Sequence, residues 1–150
     1  MLDQLQTVFA SFQKNDVKYL VIGGIAAVLY GVPRATFDLD ILIEPTKENA
    51  QRLLDALLDA GFGTADMTSS EEIINTEITI FTDRVRLDVL TATPGISFID
   101  AWQRRRTMSY QEQEFDVVSL GDLIESKTAA GRDVDLEDVR ILTSIEKDIQ

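Results

Sequence analysis

The pair of acids Asp38 and Asp40 is the feature that most limits how this chain can fold. The two stand one residue apart at the beginning of an apolar run, residues 41–43, and such a run is typical of a buried strand. Side chains at positions i and i+2 of a strand point to the same face, so the two carboxylates would lie side by side. Two like charges held that close repel each other unless a cation lies between them. A hard divalent metal, which prefers oxygen ligands, is the simplest reason for such a pair.

A third acid, Asp88, stands in an alternating segment from Val85 to Leu90. If this segment is a strand beside the first acidic strand, the three carboxylates share one face and can surround one or two magnesium ions. Such sites serve phosphoryl or nucleotidyl transfer, and the third carboxylate can then act as general base toward an acceptor hydroxyl. The residues alone also allow a simpler alternative, in which Asp88 forms an ion pair with Arg86 or Arg84.

Two glycines, Gly23 and Gly24, follow the short apolar strand predicted over 19–22. Glycine at the end of a strand allows the backbone to approach a phosphate, and the N-terminus of a following helix favours an anion. A double glycine is also common in ordinary turns. The phosphate interpretation gains weight because the two glycines precede the acid pair by about one helix and one loop.

Composition narrows the chemistry that is open to the chain. Its 150 residues suit one domain, with a core over about 17–119 and a helical end over about 120–150. Cysteine and histidine are both absent, which excludes disulfides, thiolate metal sites, histidine bases and serine–histidine triads. No apolar run approaches the ~20 residues that span a bilayer, and the N-terminal segment does not resemble a secretory signal. We therefore expect a cytoplasmic protein that does not enter a membrane.

The formal net charge of −12 argues against nonspecific binding to nucleic acid, because phosphate contacts need a surface of Lys and Arg. The run Arg104–Arg106 is the strongest candidate for a local basic patch, and it also fits a solvated helix end. Phe98 and Trp102 stand four residues apart, which favours a place in the core over a base-stacking platform.

The hydrophobic periodicity predicts an α+β fold. Helices are predicted over 2–14, 25–30, 47–60, 97–105, 120–130 and 136–147, with a possible helical turn in 68–75, and strands over 19–22, 37–44, 77–82, 85–90 and 115–119. The strands on either side of residues 83–84 form an antiparallel hairpin in this prediction. The result is a mixed, mainly antiparallel sheet flanked by helices, followed by a short helical C-terminal segment.

The segment GGIAAVLYGVPRATFDLDI resembles the nucleotidyltransferase superfamily of DNA polymerase beta. It is most similar to small bacterial and archaeal nucleotidyltransferases of the abortive-infection-toxin and resistance-enzyme types. The tail, with Lys127, Arg132, Asp135 and Asp138 in that order, resembles the terminal helices of these proteins. The resemblance covers roughly residues 17–142.

The resemblance implies transfer of a nucleoside monophosphate from an NTP to an acceptor hydroxyl. It implies two Mg²⁺ ions bound by three catalytic acids, and a group of residues near the nucleotide or its phosphates. The acids are Asp38, Asp40 and Asp88, and the nucleotide group is Gly23, Gly24, Arg34, Thr36 and Lys127. The sequence departs from the pattern in having Gly24 where many members have a serine, and residues 133–134 where relatives often have Pro-Lys.

The identity of the acceptor stays open at this point, between a small molecule, an RNA end and a protein side chain. A second hypothesis is a catalytically weak or inactive binding module, which contacts a protein partner through its helical end as in a toxin–antitoxin pair. A third is a homodimer in which the second subunit supplies the acceptor surface.

Overall fold

The computed structural model describes residues 2–83 and 85–149. Helices and strands alternate along most of this part of the chain, and two helices close it. In chain order they are α1 (Leu2–Lys14), β1 (Tyr19–Ile22), α2 (Gly23–Tyr30), β2 (Asp38–Ile43), α3 (Lys47–Asp59), a short 3₁₀ helix (Gly63–Met67), α4 (Ser70–Ile74), β3 (Ile78–Thr82), β4 (Arg86–Leu90), α5 (Phe98–Gln103), β5 (Arg106–Tyr110), β6 (Gln113–Val117), α6 (Leu120–Ala130) and α7 (Asp133–Ile149).

The six strands form one mixed sheet in the order β3-β4-β2-β1-β6-β5. The pairs β1–β2, β3–β4 and β5–β6 are antiparallel, whereas β2–β4 and β1–β6 are parallel. The α+β prediction of a mixed, mainly antiparallel sheet with a helical end is therefore confirmed. The parallel pairing of β2 with β4 places the predicted acidic strands next to each other.

Alternation along β4 and over the first four residues of β2 separates the core from the acidic face of the sheet. Leu39 and Ile41 in β2 and Leu87 and Val89 in β4 are buried in the hydrophobic core. The residues between them carry the acids on the opposite face. A shift of one residue in either strand would bury carboxylates in the core, so the pattern specifies this register strongly.

The helices are arranged so that α2, α6 and α7 pack together, while α1 packs on α3 and β6. Helix α2 contacts both β1 and β2, which brings its first residues beside the acidic strand. Helix α6 begins at a Ser119 cap, whose hydroxyl accepts from the Asp122 amide, and it ends at Gly131 in the left-handed conformation. No helix of residues 2–83 or 85–149 is long and apolar enough to cross a membrane.

Several boundaries differ from the sequence prediction. Strand β5 was missed because its segment, RTMSY, has little apolar content, and it forms by pairing at the edge with β6. Helix α2 begins at Gly23 instead of residue 25, and α7 begins at Asp133 instead of residue 136. The helical turn predicted in 68–75 is α4. The division into a core and a helical end within one domain stays a prediction.

Candidate active site

The acids of β2 and β4 meet through strand register. Asp40 is the direct neighbour of Asp88, and Asp38 is the direct neighbour of Arg86. Because the strands are parallel, all of these side chains project from the same face of the sheet. The expectation that Asp88 lies on the same face as the other two acids is therefore confirmed.

We call Asp40 and Asp88 the acid pair. Within it, the negative charge of Asp40 is electrostatically unfavourable. Burial raises the pKa of Asp40 to about 7, and the nearby charges of Asp88 and Asp38 add to the effect. The positive charges of Lys127 and Arg86 oppose this rise without cancelling it. Among the described residues, Asp40 has no ion-pair partner. The acid pair is therefore a place where a bound cation would be strongly favoured.

Asp88 is held by a cation of its own strand. Arg86 donates from Nε to Oδ1 at 3.0 Å and from Nη2 to Oδ2 at 3.4 Å. The simpler sequence alternative, an ion pair with Arg86, is thus present together with the carboxylate cluster. The other alternative partner, Arg84, lies outside the described residues. Oδ2 is the more loosely held oxygen of Asp88 and the freer of the two to contact a ligand.

The donor set fits magnesium in chemistry and in number. Magnesium takes oxygen ligands and keeps several waters and substrate phosphates, so one or two carboxylates suffice. Within residues 2–83 and 85–149, no group of three or more acids stands close enough to form a complete metal cage. Asp38 is exposed and lines the adjoining surface with Phe37 and Arg86. A bound magnesium ion would thus contact Asp40 and Asp88 first, and Asp38 would reach it only from the edge.

The two glycines lie against this acid pair and its surroundings. Gly23 has a φ of 71°, and a side chain there would collide with Oδ2 of Asp40. Glycine is therefore required at this position for its backbone conformation and for the space taken by Asp40. A Cβ on Gly24 would lie 2.9 Å from Thr36 Oγ1 and 3.3 Å from Arg34 Nη2. Those two side chains take the space that a serine would fill at position 24.

A cavity of about 320 Å³ joins these elements. Its walls come from the acid pair, the two glycines, the loop after β4 and the helices α6 and α7. The polar lining residues are Gly23, Gly24, Arg34, Asp40, Glu77, Asp88, Thr93, Ser126, Lys127, Arg132 and Asp135. A volume of this size suits a small ligand. Of the predicted nucleotide-binding residues, only Thr36 is absent from this lining; it lines a neighbouring apolar cavity that shares Arg34.

Three cations, Arg34, Lys127 and Arg132, form what we call the cation wall of this cavity. Lys127 is only 5% exposed and contacts Asp138 at 2.8 Å and Asp135 at 3.5 Å. Lys127 lines the cavity, and its contact with the nucleotide, which the resemblance implied, stays a prediction. Its ammonium group is already paired with buried acids of α7.

The outer two cations of the wall are held in the same way. Arg34 donates to Asp138 through Nε and Nη2, at 3.1 and 2.8 Å. Arg132 donates to Asp135 through the same two nitrogens, at 2.7 and 3.2 Å. The result is a row of alternating charges that runs from Arg34 to Arg132.

The buried acids of this row bear the electrostatic signature of strong pairing. Burial alone would raise the pKa of Asp138, but the hydrogen bonds from Arg34 and Lys127 outweigh it and lower that pKa below its ordinary value. At Asp135, the hydrogen bonds from Arg132 and the positive charges of Arg132 and Lys127 likewise outweigh burial and lower the pKa.

The predicted basic patch lies elsewhere. None of Arg104–Arg106 lines the cavity. Arg104 is bonded to Asp122, and the guanidinium of Arg105 lies 3.8 Å from the ring centroid of Trp102. Phe98 is buried and stacks on the half-buried Trp102, in line with the core prediction. These aromatic residues take no part in the lining of the site.

Comparison with a solved structure shows the fold to which the chain is similar. The fold is similar to the crystal structure of a Thermotoga maritima protein that is proposed to be a nucleotidyltransferase, with a TM-score of 0.61 and 17% sequence identity. The alignment covers 95% of this chain and 92% of that one. The architecture is thus that of a nucleotidyltransferase, as the resemblance implied.

The sequence comparisons carry the assignment one step further. No curated protein matches the sequence. The chain belongs to the family described as "Nucleotidyltransferase of unknown function (DUF6036)", whose model matches residues 2–147. The family and the structural similarity together support a transferase enzyme.

Sequence reasoning did not single out two residues that organise the site. Asp135 and Asp138 belong to the tail motif and were not predicted to be buried, yet both are buried in the structure. A signal was present in the helical spacing, because Asp135, Asp138 and Leu142 are the buried residues of α7 and follow an i, i+3, i+7 pattern. Two acids on the buried stripe of a helix need cationic partners, which the motif supplies as Lys127 and Arg132.

Proposed function

We propose that this protein is a magnesium-dependent nucleotidyltransferase, which transfers a nucleoside monophosphate from an NTP to an acceptor hydroxyl. One observation carries the proposal. Asp40 and Asp88 are neighbours on adjacent strands, and they line the same cavity as the cation wall. Acids on one side and cations on the other suit a substrate that brings both a metal and a polyphosphate. Family membership supports the same reaction class.

Each residue of the site has a role in this reaction. Asp40 and Asp88, with Asp38 at the edge, would hold two Mg²⁺ ions, which neutralise phosphate charge and polarise the phosphoryl group. The backbone amides at Gly23 and Gly24 lie at the N-terminus of α2 and suit a phosphate. The cation wall provides positive charge for the polyphosphate as pyrophosphate leaves.

The chemical step requires one proton acceptor. A bond forms between the acceptor oxygen and the α-phosphorus, and the bond from that phosphorus to the bridging oxygen of pyrophosphate breaks. The hydroxyl proton passes to Oδ2 of Asp88, the oxygen that Arg86 holds less tightly. Side chains that bind and orient the reactants account for the rest of the rate, since positioning and electrostatics dominate phosphoryl transfer.

A transfer assay with labelled NTPs, Mg²⁺ and a panel of acceptors tests this proposal. We expect labelled product and pyrophosphate from the wild type, and neither from the double variant Asp38→Asn, Asp40→Asn. Asp66→Asn is the matched control, because Asp66 is an exposed acid of the 3₁₀ helix and does not line the cavity. Equal labelling by the wild type and the double variant would refute the proposed role of the acids.

An inactive binding module is less well supported, because all three acids are present and two of them are adjacent. Calorimetry with Mg-ATP separates the two readings: a folded wild type that binds no nucleotide would favour the module. Light scattering would show whether a homodimer forms. The cytoplasmic location also stays a prediction.

The lining of the cavity bears on the class of the acceptor. Because Arg104–Arg106 lies outside the lining, we favour an acceptor that is not nucleic acid. Transfer that is insensitive to salt between 50 and 200 mM would agree with this preference, whereas a steep loss of transfer would indicate an RNA end.

A further inference from the structure

We infer that Asp138 is a positioning residue, which holds Arg34 and Lys127 in fixed places so that both bind the polyphosphate of the nucleotide. The inference rests on the proposed function, because it concerns how the same site takes its substrate. Asp138 does not line the cavity itself and acts through the two cations that do.

The contacts of Asp138 join three separate parts of the chain. Its side chain, on α7, is only 1% exposed. Oδ1 accepts from Nε of Arg34, and Oδ2 accepts from Nη2 of Arg34 and from Nζ of Lys127. Arg34 belongs to the loop before β2, whereas Lys127 belongs to α6. One carboxylate thus fixes the spacing between two cations that share no element.

The contacts with Asp138 use Nε and Nη2 of Arg34 and leave Nη1 available to a ligand. A guanidinium has five N–H donors in a rigid plane, and a bidentate carboxylate on one edge fixes that plane while the other nitrogen stays available. Nη2 of Arg34 also lies 3.3 Å from where a Cβ would stand on Gly24, the second residue of α2. Arg34 is therefore held next to the helix N-terminus that suits a phosphate.

Lys127 is held between two acids and still borders the cavity. Its ammonium group has three donors, and the contacts with Asp138 and Asp135 direct it along the wall. A lysine this deeply buried cannot search for a phosphate by swinging from the surface. Its position is set by the acids, and a nucleotide would meet it already oriented.

Simple neutralisation of buried Lys127 does not account for the whole arrangement. A single contact with Lys127 would suffice for that purpose, yet both oxygens of Asp138 also accept hydrogen bonds from Arg34. The side chain of Arg34 is 32% exposed and therefore accessible to water. Because Arg34 reaches water, its own charge does not require a buried partner. The bidentate hold on Arg34 is better explained by a need for fixed orientation.

The first test changes the held cation and keeps its charge. Arg34→Lys cannot form the bidentate contact with Asp138, whereas Arg34→Ala removes the charge as well. We expect both variants to lose about tenfold to hundredfold in affinity for Mg-ATP and for magnesium tripolyphosphate, because loss of a hydrogen bond to a charged group weakens binding by about that factor. Affinity for AMP, which lacks the polyphosphate, should stay within about twofold of the wild type. Wild-type affinity of Arg34→Lys for Mg-ATP would overturn the inference.

The second test removes the holding acid. Asp138→Asn should raise KM for the NTP and weaken binding of tripolyphosphate, with AMP binding unchanged. Glu137→Gln is the matched control, because Glu137 lies on the same helix and makes a bidentate contact with Arg140 away from the cavity. Equal losses for AMP and tripolyphosphate would indicate a general structural role and refute positioning. Should Asp138→Asn not fold, the comparison of Arg34→Lys with the wild type decides alone.

The outcomes separate this inference from the function on which it rests. A folded wild type that binds neither Mg-ATP nor tripolyphosphate would refute the proposed function. A wild type that binds both, together with Arg34→Lys and Asp138→Asn proteins of unchanged affinity, would refute only the role of Asp138.

Discussion

The acid pair and the cation wall face one cavity but treat buried charge in opposite ways. Asp40 is pressed against like charges, and its pKa is raised to about 7 by burial and by Asp88 and Asp38. The cation wall is fully paired, since Lys127 contacts both Asp135 and Asp138. The acid pair therefore carries an unfavourable charge that a bound cation would stabilise, whereas the charges of the cation wall are already paired within the protein.

This difference separates the parts of the site that act from the parts that hold. Residues kept in an unfavourable electrostatic state contribute to function at a cost in stability, whereas residues in a satisfied network contribute to both. Substitutions that remove charge from the acid pair or from the cation wall test this comparison. We expect the acid pair to control activity, and the cation wall to control activity and stability together.

The largest expected effect is on activity, from Asp40→Asn. Transfer should fall roughly 10³-fold, because metal-ion catalysis contributes several kcal/mol and each 1.4 kcal/mol is tenfold. The unfolding temperature in metal-free buffer should stay the same or rise, since the substitution removes a charge that burial disfavours. Single-turnover assays and thermal unfolding measure the two quantities. A variant that loses stability along with activity would contradict the assignment of strain to Asp40.

The next effect is on stability, from Lys127→Met. This change leaves buried Asp135 and Asp138 with one partner fewer, and loss of one member of a buried pair costs about 3–5 kcal/mol. Urea unfolding measures the loss, with Arg132→Met as the comparison, because Arg132 is largely exposed and its removal should cost much less. Equal destabilisation by the two substitutions would show that burial does not distinguish the members of the cation wall.

A smaller effect is the dependence of stability on pH, which should have opposite signs on the two sides. Asp40, whose pKa is raised in the folded state, contributes stability while it is protonated and loses that contribution as the pH rises from about 4 to about 7. Asp138, whose pKa is lowered, contributes above the pKa of the unfolded chain and loses its contribution as the pH falls toward its folded pKa.

Urea unfolding in EDTA-containing buffer between pH 3 and 8 measures both slopes. Asp40→Asn should flatten the decline toward neutral pH and leave the acid limb unchanged. Asp138→Asn should reduce the acid limb and leave the neutral region unchanged. A wild-type stability that is level from pH 4.5 to 7.5 would show that Asp40 does not titrate in this range.

The sequence predicted those features of the structure that depend on local patterns of residues. Alternation around Asp38, Asp40 and Asp88 specified both strands and the face that carries the acids. The parallel register that makes Asp40 and Asp88 neighbours depends on sheet topology, which no local pattern contains. From the sequence, the meeting of Asp40 and Asp88 could be predicted only if the two strands were neighbours in the sheet.

The cation wall was less accessible, because it depends on contacts across long separations. The bond between Arg34 and Asp138 joins residues 104 positions apart. Strand β5 was missed for a related reason, since its pairing with β6 outweighs its weak strand propensity. Thr36, which the resemblance associated with the nucleotide, lies close to Gly24 but lines the adjoining cavity.

The smallest expected effect sharpens the comparison at Arg86, a cation on the acidic face of the sheet. Arg86 is exposed and occupies both oxygens of Asp88, so it competes with any metal for the same ligand. Arg86→Gln should lower the Mg²⁺ concentration for half-maximal activity by a few fold and change the unfolding temperature little, because exposed ion pairs contribute weakly. Magnesium titration of the transfer rate measures the change, with Arg140→Gln as the control for loss of an exposed arginine pair. An increase in the magnesium requirement would show instead that Arg86 orients Asp88 for binding, and the acid pair would then resemble the cation wall in being held by its neighbours.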